Sequence, residues 1–118
     1  MAGVEGRNFD SPDETRTPDK TTIELVNLAG GQIGRYTFQP GWRWSECIKP
    51  VVKTDKCQVE HVGYVVAGRL HAEHEDGTTG EVAAGDVYRI APGHDAWVVG
   101  DESAVLVEFQ GAAQYAQA

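Results

Sequence analysis

The pattern of hydrophobic and polar positions changes near residue 21. Residues 1–20 are polar, carry Pro12 and Pro18, and offer few apolar side chains to bury. The stretch is therefore expected to be a flexible N-terminal segment. From Thr21 the pattern alternates. "TTIELVNL" sets Ile23, Leu25 and Asn27 against Glu24 and Val26, the period of a strand. Gly30-Gly31 marks a turn. "QIGRYTFQ" reads as a second strand closed by Pro40-Gly41. "WRWSECIK" reads as a third closed by Pro50, with Trp42, Trp44 and Glu46 on one face. "VEHVGYVVAG" is rich in Val and aromatic residues, with Val62, Tyr64 and Val66 on one face. "RLHAEHE" runs into Asp76-Gly77, a hairpin signal. Two short strands flank Ala84-Gly85-Asp86, and "AWVVGD" and "AVLVEFQ" complete the series. No stretch holds a helical period over three turns. Eight or nine short strands with closely spaced turn signals predict an all-β sandwich or barrel over residues 21–111, followed by a short tail, 112–118.

Composition narrows the function classes. The 118 residues suffice for one domain. Eighteen acidic residues against ten basic ones give a net charge of −8, which speaks against a nucleic-acid surface or an anionic membrane as partner. No apolar run reaches the ~20 residues of a bilayer span. The N-terminal residues lack the apolar core of an export signal, so a cytoplasmic location is expected. In that setting Cys47 and Cys57 are expected as thiols or ligands rather than as a disulfide, although a Cys47–Cys57 bridge stays open. Ser11, Ser45 and Ser103 lie in no nucleophile context. Phosphate-loop and dinucleotide fingerprints are lacking.

The stretch "CQVEHVGYVVAG" raises the question of a metal. Cys57 and His61 stand four apart. On a straight strand that spacing is ~13 Å, too far for two donors that must each lie within ~2.3 Å of one ion. A shared ion therefore requires the chain to bend between them. Without a bend, the pair is a buried thiol and a buried imidazole. His71 and His74 face opposite sides of a strand and cannot both line one pocket.

The run "HVGYVVAGRLHAEHEDG…EVAAGDVYRIAPGHDAWVV" resembles a single-domain cupin, over roughly residues 35–110. The first motif of that superfamily, G-x5-H-x-H-x3/4-E-x6-G, ends here on Gly68, with His61 in the place of its glutamate. Counting back puts Cys57 at its second histidine and Asp55 at its first. Counting forward from Gly41 puts Cys47 there instead. The second motif, G-x5-P-x-G-x2-H-x3-N, begins at Gly85 and meets Gly93. Its histidine position falls on Ala96, with His94 two places earlier.

The resemblance implies a small antiparallel double-sheet, jelly-roll-like barrel, commonly homodimeric. It also implies a metal held by Cys57, His61 and His94, with Cys47 or Asp55 as a possible fourth ligand. One thiolate and two imidazoles suit zinc; iron, manganese or nickel are the alternatives. Asp95 is then either a partner that fixes the His94 tautomer or a turn residue. Glu46 is the candidate general base if it reaches the barrel mouth. The expected function is a small metal-dependent enzyme of isomerase, lyase or cyclase type acting on a small polar metabolite. A non-catalytic metal- or ligand-binding module is the alternative.

Overall fold

A computed structural model describes residues 3–112 and 115–117; Met1, Ala2 and, from the expected C-terminal tail, Ala113, Gln114 and Ala118 lie outside the described residues. The elements follow in the order β1 (Glu14–Arg16), β2 (Thr21–Leu28), β3 (Gly31–Phe38), α1 (Trp44–Cys47), α2 (Lys49–Val52), β4 (His61–Ala67), β5 (Arg69–His74), β6 (Thr79–Ala83), β7 (Val87–Ile90), β8 (His94–Val98) and β9 (Ala104–Gln110). The strands form two antiparallel sheets, one of six in the order β1-β2-β3-β9-β4-β7 and one of three in the order β6-β5-β8. This is the all-β architecture that the strand pattern predicts, in the double-sheet form that the resemblance implies.

Local chemistry sets the corners. The β2–β3 hairpin closes through Ala29 and Gly30, both left-handed at φ 53° and 78°. Two left-handed residues make the turn whose twist matches that of its strands. Gly68, at φ 77°, carries the chain from β4 in the large sheet to β5 in the small one. A Cβ at Gly68 would collide with the Ser103 carbonyl. The glycine that anchors the first motif is thus fixed by a close backbone approach.

The inner face of the large sheet shows how alternation builds the core. Tyr36, Leu106 and Val65 lie side by side on β3, β9 and β4 and are almost wholly buried. Burying apolar side chains of the Leu and Val kind contributes about 1.5–3 kcal/mol each. On β4 the buried face is His61, Gly63 and Val65. The face predicted for Val62, Tyr64 and Val66 is the outer one, where Tyr64, Val66, Val87 and Phe109 form an exposed apolar surface.

One predicted element differs. "WRWSECIK" is not a third strand but the start of α1 and α2. Trp44, Cys47 and Ile48, spaced three and four apart, are all buried, and that spacing puts them on one helical face. Pro50 sits at the beginning of α2, where its missing N–H costs nothing, instead of closing a strand. Asp95 of β8 accepts hydrogen bonds from the Ser45 backbone N–H (3.1 Å) and hydroxyl (3.0 Å), and so satisfies the start of α1. Within the N-terminal stretch, Glu14–Arg16 pairs with β2, and Arg7 donates to Asp13 at 2.8 Å.

Candidate metal centre

The backbone brings the two motif segments together before any side chain is considered. The Cys57 N–H donates to the His94 carbonyl at 2.8 Å, and the Gly93 N–H to the Cys57 carbonyl at 2.7 Å. Cys57 therefore sits against the first residue of β8, while His61 opens β4. Residues 58–60 belong to no strand. The bend that a shared ion requires is present, and Cys57 Sγ lies 3.5 Å from His61 Nε2. The donor atoms of Cys57, His61 and His94 all lie within 4.8 Å of one another, on side chains that are all buried. His94 is drawn in although it misses the motif's histidine position by two residues.

Each imidazole is oriented by its other nitrogen. His94 Nδ1 lies 2.7 Å from the Ala91 carbonyl, which can only accept, so the proton is on Nδ1 and the Nε2 lone pair is left for a ligand. His61 Nδ1 lies 2.5 Å from Glu108 Oε1. Glu108 Oε2 in turn accepts from the Tyr88 hydroxyl at 2.6 Å. A carboxylate that fixes the tautomer of a ligating histidine is the usual support of a metal site. Sequence reasoning passed over Glu108, yet a signal was there. In "AVLVEFQ" it falls in phase with Ala104 and Leu106, an acidic residue on the apolar face of a strand.

The electrostatics follow from burial and these contacts. Burial pushes the Cys57 thiol up, but hydrogen bonds and charge from His61 and His94 outweigh it and hold the thiol down at about 6. Burial alone would lower His61. The charge of Glu108 and hydrogen bonds to Cys57 and Glu108 raise it to about 10. Without a metal the pair is a thiolate facing an imidazolium. Burial, together with the charge of Glu108, pushes the Tyr88 and Tyr36 hydroxyls well above the ordinary phenol value, so both stay protonated donors.

Other candidates fall outside the cluster. Glu46 is on α1, two residues after buried Trp44; a two-residue step on a helix turns about 200°. Its carboxylate accordingly faces solvent, 3.8 Å from Arg43. The Asp55 side chain is fully exposed beside Lys49 at 3.7 Å. Cys47 is buried, with Sγ 3.9 Å from Asp19, and like Cys57 it is a free thiol. Asp95 serves α1 and Arg43 (3.2 Å) rather than the His94 ring. His71 lies against Trp97, ring centroids 4.7 Å apart, while on the other side of β5 His74 donates from Nε2 to the Pro92 carbonyl at 2.7 Å and accepts at Nδ1 from the Asp76 N–H at 3.0 Å.

Two hollows border the cluster and a third lies apart from it. The innermost is a cavity of about 20 Å³, lined by His61, His94 and Glu108 and walled by Tyr36, Trp42, Trp44 and Tyr115. That is room for about one water. Tyr115 stacks on Tyr36 with centroids 4.8 Å apart and closes the chamber. Beyond Tyr115 and Trp44 lies a second hollow of about 210 Å³, which Cys57 lines from the other side. A third, of about 350 Å³, is a surface groove between β6 and β7, bordered by His74, Asp76 and Arg89.

No family model matches the chain, and no curated protein matches it. Solved structures do. A Rhizobium leguminosarum protein of unknown function superposes with a TM-score of 0.65 at 20% identity, over 91% of this chain and 95% of that one. The cupin domain of Drosophila melanogaster CENP-C gives 0.61 at 15% identity, over 90% and 84%. Lactobacillus farciminis oxalate decarboxylase, a formate complex, gives 0.58 at 15% identity, over 94% of this chain and 35% of that one. The chain has the cupin fold. Its neighbours include both a decarboxylase and the CENP-C cupin domain, so the fold alone assigns no activity. Among the described residues no helix is long and apolar enough to cross a membrane.

Proposed function

We propose that this chain is a small metal-dependent enzyme whose Cys57, His61 and His94 hold one divalent cation, zinc before iron, manganese or nickel. The observation that carries the reading is the convergence of three buried donor atoms within 4.8 Å. Two features of the donor set support the fit. Glu108 and the Ala91 carbonyl orient the two imidazoles through the nitrogens that do not face the cluster. A thiolate with two imidazoles also matches the three-ligand pattern of zinc sites that keep a position open. Cys47 and Asp55 point elsewhere, which favours an open position over a closed structural shell.

A bound cation would supply Lewis acidity towards an oxygen of a small polar metabolite, the chemistry of isomerases, lyases and cyclases. The chain's own side chains do the rest. Glu108 keeps the His61 proton on Nδ1, and the aromatic walls exclude bulk water, which strengthens every charge interaction inside. A second reading, a non-catalytic metal-stabilised module, draws on the small size of the chamber, about 20 Å³.

Elemental analysis of protein purified without added metal tests the site. One equivalent of metal is expected, and its loss in both Cys57→Ser and His61→Ala. An ion that survives both substitutions, or its absence from the wild type, overturns the proposal. Zinc at about a hundred times its dissociation constant is expected to stabilise metal-free protein by about 2.7 kcal/mol. His74→Gln, in the surface groove, leaves that gain intact. Turnover separates the two readings: a stabilising ion with no activity towards small hydroxy or keto metabolites favours the module.

A further inference from the structure

The chamber beside the three ligands has a feature that the metal reading does not use. Its walls include Trp42, Trp44 and Tyr36, each 2% exposed or less. The indole N–H groups of both tryptophans and the Tyr36 hydroxyl are buried without a hydrogen-bond partner. Tyr36 lies near enough to Glu108 to feel its charge, but makes no hydrogen bond of acceptable geometry to it. An indole N–H only donates, and leaving one unmet inside a protein costs about 1–3 kcal/mol. Three unmet donors around one small cavity are three such costs at one place. Trp97, by contrast, lies outside the chamber, under the Arg43 guanidinium at 4.1 Å.

Donors without acceptors define what would fit. Three donors and an open metal position together ask for about four lone pairs from one ligand. A carboxylate offers about four, whereas a carbonyl offers two. Charge-assisted bonds to a carboxylate are also about twice as strong as neutral ones. Glu108, however, lines the same cavity and would repel an anion unless a cation offsets it. The volume, about 20 Å³, is room for about one water, so even the smallest carboxylate enters only with a shift of Tyr115, which closes the chamber.

We infer that the chamber is a carboxylate-binding pocket, in which Trp42, Trp44 and Tyr36 donate to the carboxylate end of the ligand beside the metal. This rests on the metal-centre reading, because the cation must balance Glu108.

The chain has three tryptophans, so a ¹⁵N-edited spectrum shows three indole N–H signals, assigned from Trp42→Phe, Trp44→Phe and Trp97→Phe. Formate and acetate are titrated into zinc-loaded and metal-free protein, with formamide and acetamide as neutral counterparts. The expected result is saturable movement of the Trp42 and Trp44 signals by the carboxylates in the zinc-loaded protein, with Trp97 still. Trp42→Phe and Trp44→Phe each weaken carboxylate binding by about tenfold or more at unchanged zinc stoichiometry, while Trp97→Phe does not. Zinc binding with no movement of either signal, or equal movement by the neutral amides, overturns the carboxylate pocket and leaves the metal centre standing. Failure of zinc to bind overturns both. If a Phe variant does not fold, the wild-type titration alone still decides.

Discussion

Two clusters of titratable groups sit at opposite levels of this barrel. The surface groove between β6 and β7 is the larger hollow, about 350 Å³, with His74, Asp76 and Arg89 along its edge. The inner chamber is about 20 Å³. The groove's groups satisfy one another in water. His74 is raised by its bond to the Pro92 carbonyl and then by Asp76, and Asp76 is lowered by Thr78, yet His74 is only half-buried and Asp76 is exposed. In the chamber the same kinds of residue are buried. There each is fixed by a partner that itself has no other recourse, as His61 is by Glu108 and Glu108 by Tyr88. Volume therefore points to the wrong place. Burial, orientation and unmet hydrogen-bonding capacity are what favour the inner cluster as the proposed site.

Three paired tests break or sharpen this contrast. The largest effect belongs to Glu108. Glu108→Ala leaves the His61 ring nitrogen and the Tyr88 hydroxyl without partners inside the barrel. Removing one member of a buried charged pair costs about 3–5 kcal/mol, read as a lower denaturation midpoint of metal-free protein. Asp76→Ala, in the groove, is expected to leave the midpoint where it was, since exposed pairs contribute little. Equal effects at the two positions would remove the distinction between the clusters.

Glycines give a second, smaller comparison. A Cβ on Gly63 would come within 2.8 Å of the Tyr88 hydroxyl and 2.5 Å of the Val107 carbonyl. Gly63→Ala therefore presses on the Tyr88–Glu108 bond, with an expected cost of about 1–3 kcal/mol. Gly80, in the groove, has nothing within 4 Å of the same position, and a glycine within a strand is itself a weak point. Gly80→Ala is expected to be neutral or mildly stabilising. A Gly63→Ala protein as stable as wild type would mean that the layer behind Glu108 yields easily, and that the site is less rigid than its hydrogen bonds imply.

Much of the fold was legible because alternation and turn chemistry act locally. Ile23 and Leu25 and the Asp76-Gly77 hairpin could each be read from a few neighbouring residues. The helical start at Trp44 was not, because the same residues fit two periods. Trp42, Trp44 and Glu46 alternate as in a strand, whereas Trp44, Cys47 and Ile48 keep helical spacing. The second pattern prevails because it buries three apolar side chains, while the first would bury Glu46. Cys57 and His61 were legible through the spacing to Gly68. Their meeting depends on a backbone pairing with Gly93 and His94, some 36 residues away, that no local pattern encodes. Glu108 lay in plain view as a charge on an apolar face. What it partners could not be read, because β9 reaches His61 only through the sheet order.

The last test sets the chamber's electrostatics against the groove's. In metal-free protein the Cys57 thiol is held at about 6 and His61 at about 10, against ordinary values of 9.0 and 6.5. The signs of the two linkages differ. A depressed thiol contributes stability above its unfolded value and loses it as pH falls through about 6. A raised imidazole contributes fully below its unfolded value and loses it as pH climbs through about 10. Between about 6.5 and 9 the slopes oppose, so the stability of metal-free protein is expected to stay nearly level, and to decline towards either side of that window. Thiolate ultraviolet absorbance against pH, compared with Cys57→Ser, follows the sulfur directly and is expected to rise near pH 6. His61→Gln removes the first of the stabilising contacts and moves that rise towards the ordinary thiol range, while His74→Gln leaves it in place. A Cys57 that titrates near its ordinary value in the wild type would mean that burial outweighs the imidazoles, and the inner cluster would then differ from the groove in exposure alone.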